Sequence, residues 1–193
     1  MSFGTLYTHK PNPRSFAILA VAKSQALDLN VVYLDKENKE DQEKLLLLNP
    51  LGQVPVFVAA DGFVLTECIA IALYITSRSD CTALLGATSR DYYDILRWMS
   101  MANSDLLPAI GGVILPLLGM KLTVRKDRQD CLRAFHVDCK VLQNRLQQSR
   151  YLVGGDQPTL ADLFTVGTLV FAVMVFHKMM RDEYPRLLEW FHE

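Results

Sequence analysis

A chain of 193 residues is long enough to bury one substantial core or two smaller ones packed together. Half of its residues are hydrophobic and 21% are charged, which excludes a disordered chain. With a formal net charge of −1 and no basic stripe, nucleic-acid binding has no electrostatic support.

In chain order, Gly4–Thr8 (GTLYT) reads as a strand and Pro13–Leu27 as a helix, with Phe16, Leu19, Ala20 and Lys23 at helical spacing. Leu29–Asp35 reads as a second strand. Lys39–Pro50 is a helix that starts charged, turns apolar and stops at Asn-Pro. Val54–Glu67 holds two strands around the Asp61-Gly62 turn, a strong hairpin signal, and Glu67–Ser79 is an apolar helix. The order β-α-β-α-β-β-α implies a parallel, right-handed first crossover and an antiparallel hairpin. It predicts a four-stranded mixed sheet with helices on both faces.

Residues 80–88 lack periodicity and read as a linker. From Ser89 only helical patterns follow, so residues 89–193 are expected to form an all-helical domain beside an α/β domain of residues 1–79. One long helix runs from Asp91 to about Leu118, with interruptions expected near Pro108, Gly111-Gly112 and Pro116. A second runs from Arg125 to Gln148. A third, buried helix starts at Thr159-Leu160-Ala161-Asp162, which has the form of a capping box with Asp in place of Glu. Alanine at Thr159 or Asp162 should cost about 1 kcal/mol. The segment YPRLLEWFHE closes the chain.

Cys68, Cys81, Cys131 and Cys139 form no CxxC pair and no zinc spacing with histidine. No metal site is expected, and four reduced thiols in a cytoplasmic protein are the simplest reading. The start, MSFGTLYTHK, lacks the apolar core of a secretory signal. The apolar run Leu163–Phe176 is too short to span a bilayer comfortably, so no membrane partner is expected.

Three motifs carry a resemblance. NPLGQVP (Asn49–Pro55), LTECIAIALYI (Leu65–Ile75) and YLVGGDQPTLADL (Tyr151–Leu163) resemble, in order and spacing, the glutathione S-transferase superfamily. The implied fold is a thioredoxin-like N-terminal domain followed by an all-helical C-terminal domain. GTLYTHKPNPRSF (Gly4–Phe16) and RWMSMANSDLLP (Arg97–Pro108) resemble more closely the N-terminal module of elongation factor 1 gamma. Free-standing relatives of that module occur in fungal biosynthetic pathways.

The resemblance implies a cis bond at Val54-Pro55, which turns the Val54 backbone outward to pair with the cysteinyl unit of bound glutathione. It implies a contact from Gln53 to the glycyl end. At Glu67-Cys68 a strand gives way to a helix whose free N–H groups attract an anion. There the resemblance puts the γ-glutamyl group, its ammonium on Glu67 and its carboxylate on the N–H groups. The family's usual serine is Cys68 here, so binding should weaken by the worth of one hydroxyl hydrogen bond, about 0.5–1.5 kcal/mol or somewhat more. Cys68 could also act as a redox nucleophile.

Thiol activation in the family belongs to the loop that reads THKPNPR here. The shorter loop leaves the usual hydroxyl without a clear counterpart, and the candidates are Tyr7, Thr8, His9, Asn12 and Ser15. Tyr7 can equally point into the sheet, Ser15 can be a helix cap, and His9 reads as an exposed loop histidine. Backbone N–H groups could also act alone. The electrophile pocket is implied between the domains, with Asn103, Asp105, Pro108 and Gly112 on its wall. There the two glycines of the segment give room and its prolines kinks.

Two functions stay open. One is an enzyme adding the glutathione thiolate to a small apolar electrophile, as conjugation or as reversible addition giving double-bond isomerisation. The other is a non-catalytic dimerising module like that of the elongation factor. A homodimer through the 65–80 helix and the Asp91–Met101 face is implied in either case.

Overall fold

The computed structural model describes residues 2–78 and 82–193. Cys81 and the start of the expected linker lie outside the described residues. Contacts divide the chain into two compact units, Met1–Leu85 and Gly86–Glu193.

In the first unit the strands are β1 (Gly4–Thr8), β2 (Leu29–Tyr33), β3 (Val56–Ala59) and β4 (Val64–Thr66), and the helices are α1 (Pro13–Ser24), α2 (Lys39–Leu48) and α3 (Cys68–Ser77). The sheet order is β2-β1-β3-β4. β1 and β2 are parallel, and the other two pairs are antiparallel. The expected mixed sheet is present. Its hairpin closes where Asp61 Oδ1 accepts from the Phe63 N–H at 3.0 Å and Gly62 takes φ +89°, a conformation costly for any other residue.

Alternation along β1 sends successive side chains to opposite faces. Leu6 and Thr8 are fully buried on the α1 side, where the Thr8 hydroxyl meets Ser15 of α1. Tyr7 points the other way, toward a cluster of Leu34, Leu45 and Val56 that also gathers Val32, Leu48 and Val54. α3 packs on α1, and its Tyr74 stacks among Phe3, Phe57 and Phe63.

The second unit holds α4 (Ser89–Met101), α5 (Leu107–Leu117), α6 (Arg125–Gln148), α7 (Leu160–Glu183) and α8 (Pro185–His192). Between α4 and α5 the chain makes a π turn, Ala102–Leu106, where Leu107 N–H reaches back to the Ala102 carbonyl. The break therefore falls before the residues expected to cause it. Pro108 has no N–H to give, and its ring would press on the carbonyl four residues back, Ser104; a widened turn there removes that conflict. The glycine pair sits inside α5, and Pro116 is near its end.

α7 is long and apolar enough to cross a membrane by length and composition, longer than the apolar run on which the expectation rested. In this fold 56% of its most apolar window is buried against the other helices, as a core helix requires. A residue off helical geometry, Phe176 (φ −113°, ψ 24°), kinks it. Asp162 accepts from Thr159 N–H at 2.8 Å and from the Thr159 hydroxyl at 3.0 Å.

Candidate functional site

The first candidate region lies where β1 hands over to α1. Asn12 is the N-cap: its Oδ1 accepts from Arg14 N–H at 3.1 Å, and Pro13 opens the helix where no donor is needed. Its Nδ2 donates to Thr8 Oγ1 at 3.2 Å, and Thr8 and Ser15 hydroxyls lie 2.6 Å apart. Ser15 is therefore not the cap. It is buried one turn in, closed against Thr8. Tyr7 lies on the opposite face of the sheet, with Lys44 Nζ 5.0 Å above its ring. His9 is half-buried, not an exposed loop residue, and its Nδ1 is 2.8 Å from the Leu34 carbonyl. A carbonyl only accepts, so Nδ1 carries the hydrogen.

The second region is the turn into β3. The Val54-Pro55 bond is cis, as is Lys10-Pro11. The antiparallel ladder with β1 ends at Tyr7↔Val56, so Val54 lies just beyond it. Its side chain packs in the Leu34–Leu45–Val56 cluster, while its N–H and C=O have no hydrogen-bond partner among the described residues. Such unpaired backbone beside a sheet is a template for an extended peptide. The turn is held by Asn49, a residue quoted in the motif but given no role by sequence. It is 4% exposed, donates through Nδ2 to the Gln53 carbonyl at 2.8 Å and accepts from Leu51 N–H at 3.1 Å. The Gln53 side chain is exposed.

The third region is the start of α3. Glu67 has φ +69° and ψ 117°, outside the range a residue with a Cβ prefers. Its exposed side chain makes no capping bond. At the start of any helix the first N–H groups lack a carbonyl acceptor within it. Cys68 is only 3% exposed. Burial pushes its thiol up, and the Arg14 guanidinium and Ile69 N–H pull it only part of the way back. A closed, protonated sulfur is a poor nucleophile, so the redox role fits badly here.

In the helical unit, Asn103 and Asp105 share the π turn and Pro108 follows on the surface. Gly112 is different. A Cβ there would lie 2.3 Å from Cys131 Sγ, so the missing side chain makes room for α6 and not for a pocket. Across from the turn, Asp138 of α6 has a buried Oδ2 with no hydrogen-bond partner among the described residues. Burial, with help from the nearby Asp105 charge, pushes its carboxyl up to about 6. The unfolded value is about 3.9. Asp138 thus adds stability that is complete below pH 4 and lost as pH rises through 6. Asp138→Asn is expected to remove this slope and raise the melting temperature at pH 7, read from thermal melts between pH 4 and 8.

Comparison with known proteins follows the same division. The glutathione S-transferase N-terminal domain model matches residues 2–77, and a glutathione S-transferase C-terminal domain model matches residues 126–193. Glutathione S-transferase mdpJ of Emericella nidulans is 46% identical over 99% of this chain and 85% of its own length. The glutathione transferase URE2P6 of Phanerochaete chrysosporium, solved with oxidized glutathione, shares the fold (TM-score 0.90, 21% identity, 99% of this chain and 90% of that one). The GST-like domain of elongation factor 1-gamma from Saccharomyces cerevisiae is 30% identical with TM-score 0.80, over all of this chain and 88% of that one. The chain belongs to the glutathione S-transferase family, enzymes whose co-substrate is glutathione.

Proposed function

We propose that this chain binds glutathione along the Val54 backbone and at the start of α3, and that it adds the glutathione thiolate to a small apolar electrophile. The observation that carries the reading is that the N–H and C=O of Val54, beside β3, have no hydrogen-bond partner among the described residues. The cysteinyl backbone pairs there. The γ-glutamyl carboxylate takes the first N–H groups of α3, Glu67 takes the ammonium, and the exposed Gln53 reaches the glycyl end. Cys68 replaces a hydroxyl, which weakens binding without abolishing it because the backbone donors remain.

The conformation of Glu67 supports the same assignment. Backbone held in a costly region persists at functional sites, where it aims a group. Asn103, Asp105 and Pro108 form the electrophile wall, and Gly112 shapes it by letting α5 lie close on α6. An adduct that persists is a conjugate. On a conjugated polyene or enone, addition removes double-bond character, rotation follows, and elimination returns glutathione with the bond isomerised. The resemblance to fungal relatives such as mdpJ suits a role in secondary metabolism, and the reading places the protein in the cytoplasm. A homodimer uses α3 and the α4 face that carries the exposed Tyr92 and Tyr93.

A second reading rests on the similarity to the elongation factor: a non-catalytic dimerising module. This chain spans 46% of the length of elongation factor 1-gamma 2 from Saccharomyces cerevisiae, at 30% identity.

The test is a binding isotherm for glutathione beside a pH titration of its thiolate absorbance. Binding with thiolate formed at lower pH supports the enzyme. Absence of binding at millimolar glutathione leaves the module. Glu67→Gly adds a sharper prediction. It relieves the positive φ and should raise the melting temperature by about 2–4 °C, from about 1 kcal/mol of released strain. The same change should weaken glutathione binding roughly ten- to a hundredfold, the worth of a charge-assisted bond.

A further inference from the structure

We propose that His9 is the base that takes the glutathione thiol proton, through Nε2; this rests on the glutathione site proposed above. Three observations converge on the imidazole. The first is its tautomer. With Nδ1–H donated to the Leu34 carbonyl at 2.8 Å, the neutral ring must present its lone pair at Nε2. A carbonyl that fixes one ring nitrogen so that the other can accept is how proteins orient a histidine base.

The second observation is register. β1 and β3 pair as Leu6↔Phe57 and Tyr7↔Val56. His9 follows the last residue of β1 and Val54 lies two residues before β3, so both sit at the same end of this strand pair, where the Val54 backbone would hold the cysteinyl unit. Paired strands lie about 4.7–4.9 Å apart, and the base and the backbone that would position the thiol leave the sheet from the same end of two such neighbours. Tyr7, two residues before His9, points to the face of the Leu34–Leu45–Val56 cluster. Leu34, whose carbonyl it grips, belongs with Val54 to the cluster on that face.

The third is the state of the other candidates. Thr8 and Ser15 are buried, with their hydroxyls closed on each other at 2.6 Å. Asn12 has its oxygen in the cap and its nitrogen on Thr8. Tyr7 packs its ring into the cluster. Lys44 lies over Tyr7 at 5.0 Å and Lys10 over Tyr33 at 5.4 Å, while the carboxylates near Leu34 are Asp35, next to it in the chain, and Asp41, whose Oδ2 accepts from the Asp35 N–H at 2.8 Å.

The step balances simply. The S–H bond breaks, its electron pair stays on sulfur, and a new N–H bond forms at Nε2. After sulfur attacks an electron-poor alkene, the imidazolium returns that proton to the carbanionic carbon, and the neutral tautomer is restored. In the isomerising case the base takes the carbon-bound proton back as the C–S bond breaks.

The experiment uses the full chain with reduced glutathione. His9→Asn can keep the donor to Leu34 while removing the base; His9→Gln removes that tie as well. Affinity for glutathione in His9→Asn should stay within about threefold, since the Val54 and α3 contacts are untouched. Its bound-thiolate titration should shift up toward that of a free thiol, about pH 8.5. Its rate with an electrophilic alkene at neutral pH should fall about a hundredfold and then climb with hydroxide. In the unaltered protein, nitrogen NMR of the imidazole should show Nδ1–H alone when free and a protonated Nε2 when glutathione binds. This reading stands even where a variant folds poorly. Intact binding with an unshifted thiolate titration in His9→Asn, or an Nε2 that never protonates, overturns the assignment to His9 alone. A shift produced by Tyr7→Phe and not by His9→Asn does the same. Absence of glutathione binding by the unaltered protein overturns both this assignment and the reading it rests on.

Discussion

Asp162→Ala is expected to lower the melting temperature by about 8–16 °C, the consequence of about 4 kcal/mol in a chain of this size. The carboxylate is 3% exposed and serves four donors. Oδ2 takes Thr159 N–H and the Thr159 hydroxyl. Oδ1 takes Leu152 N–H at 2.9 Å and Trp190 Nε1–H at 3.1 Å. One residue thus ties the start of α7 to the loop before it and to α8. An exposed cap lost to alanine leaves its donors to water, at about 1 kcal/mol. Here alanine strands buried donors, each worth about 1–3 kcal/mol when left unmade. The losses are not additive, since the loop can relax and admit water. Asp162→Asn keeps an acceptor for Leu152 and Trp190 but turns an NH2 toward Thr159, so about half the loss is expected. Thermal melts of the two variants decide it, and a drop of only 2–4 °C in Asp162→Ala would mean that the capping box alone matters.

The second large effect concerns Gly112. A methyl group there would sit 2.3 Å from Cys131 Sγ and 2.9 Å from its Cβ. α5 and α6 must then separate, or Cys131 must swing out of a packed position. Overpacking of this kind costs about 1–3 kcal/mol, or roughly 2–12 °C in melting temperature. In a double-mutant cycle, Cys131→Ala should return only part of that loss, because the Cβ contact survives removal of the sulfur. A glycine whose role is to leave room for a ligand behaves otherwise: alanine would leave the melt unchanged and alter only substrate binding. Gly111 is the internal control, since a Cβ there meets nothing closer than 3.7 Å.

Much of the fold is legible in the sequence because periodicity and capping act over a few residues. β1 and α6 appear with the bounds that pattern alone suggests, and the Asp61-Gly62 turn closes its hairpin. A second capping box, Thr88 with Asp91, opens α4, and its threonine and acid three residues apart carry the same local signal in the sequence. The motifs of the proposed glutathione site are legible as a resemblance, since NPLGQVP and the Glu67-Cys68 junction are contiguous.

What the sequence alone determined, then, is the order of elements and the α/β-then-helical organisation, and it named the segments where a site is proposed. The tertiary structure decided which groups within those segments are open or closed. Ser15 looks like a cap until Thr8 is found against it and Asn12 takes that role. Gly112 looks like space until α6 fills it. His9 looks like a loop residue until its Nδ1 is found on Leu34, 25 positions away, and Asp162 looks like a local cap until Trp190 arrives from 28 positions away. Patterns over three or four residues follow from backbone geometry, which the sequence encodes locally. Hydrogen bonds and packing between distant segments exist only once the chain has brought those segments together, and they set which polar groups remain available for chemistry.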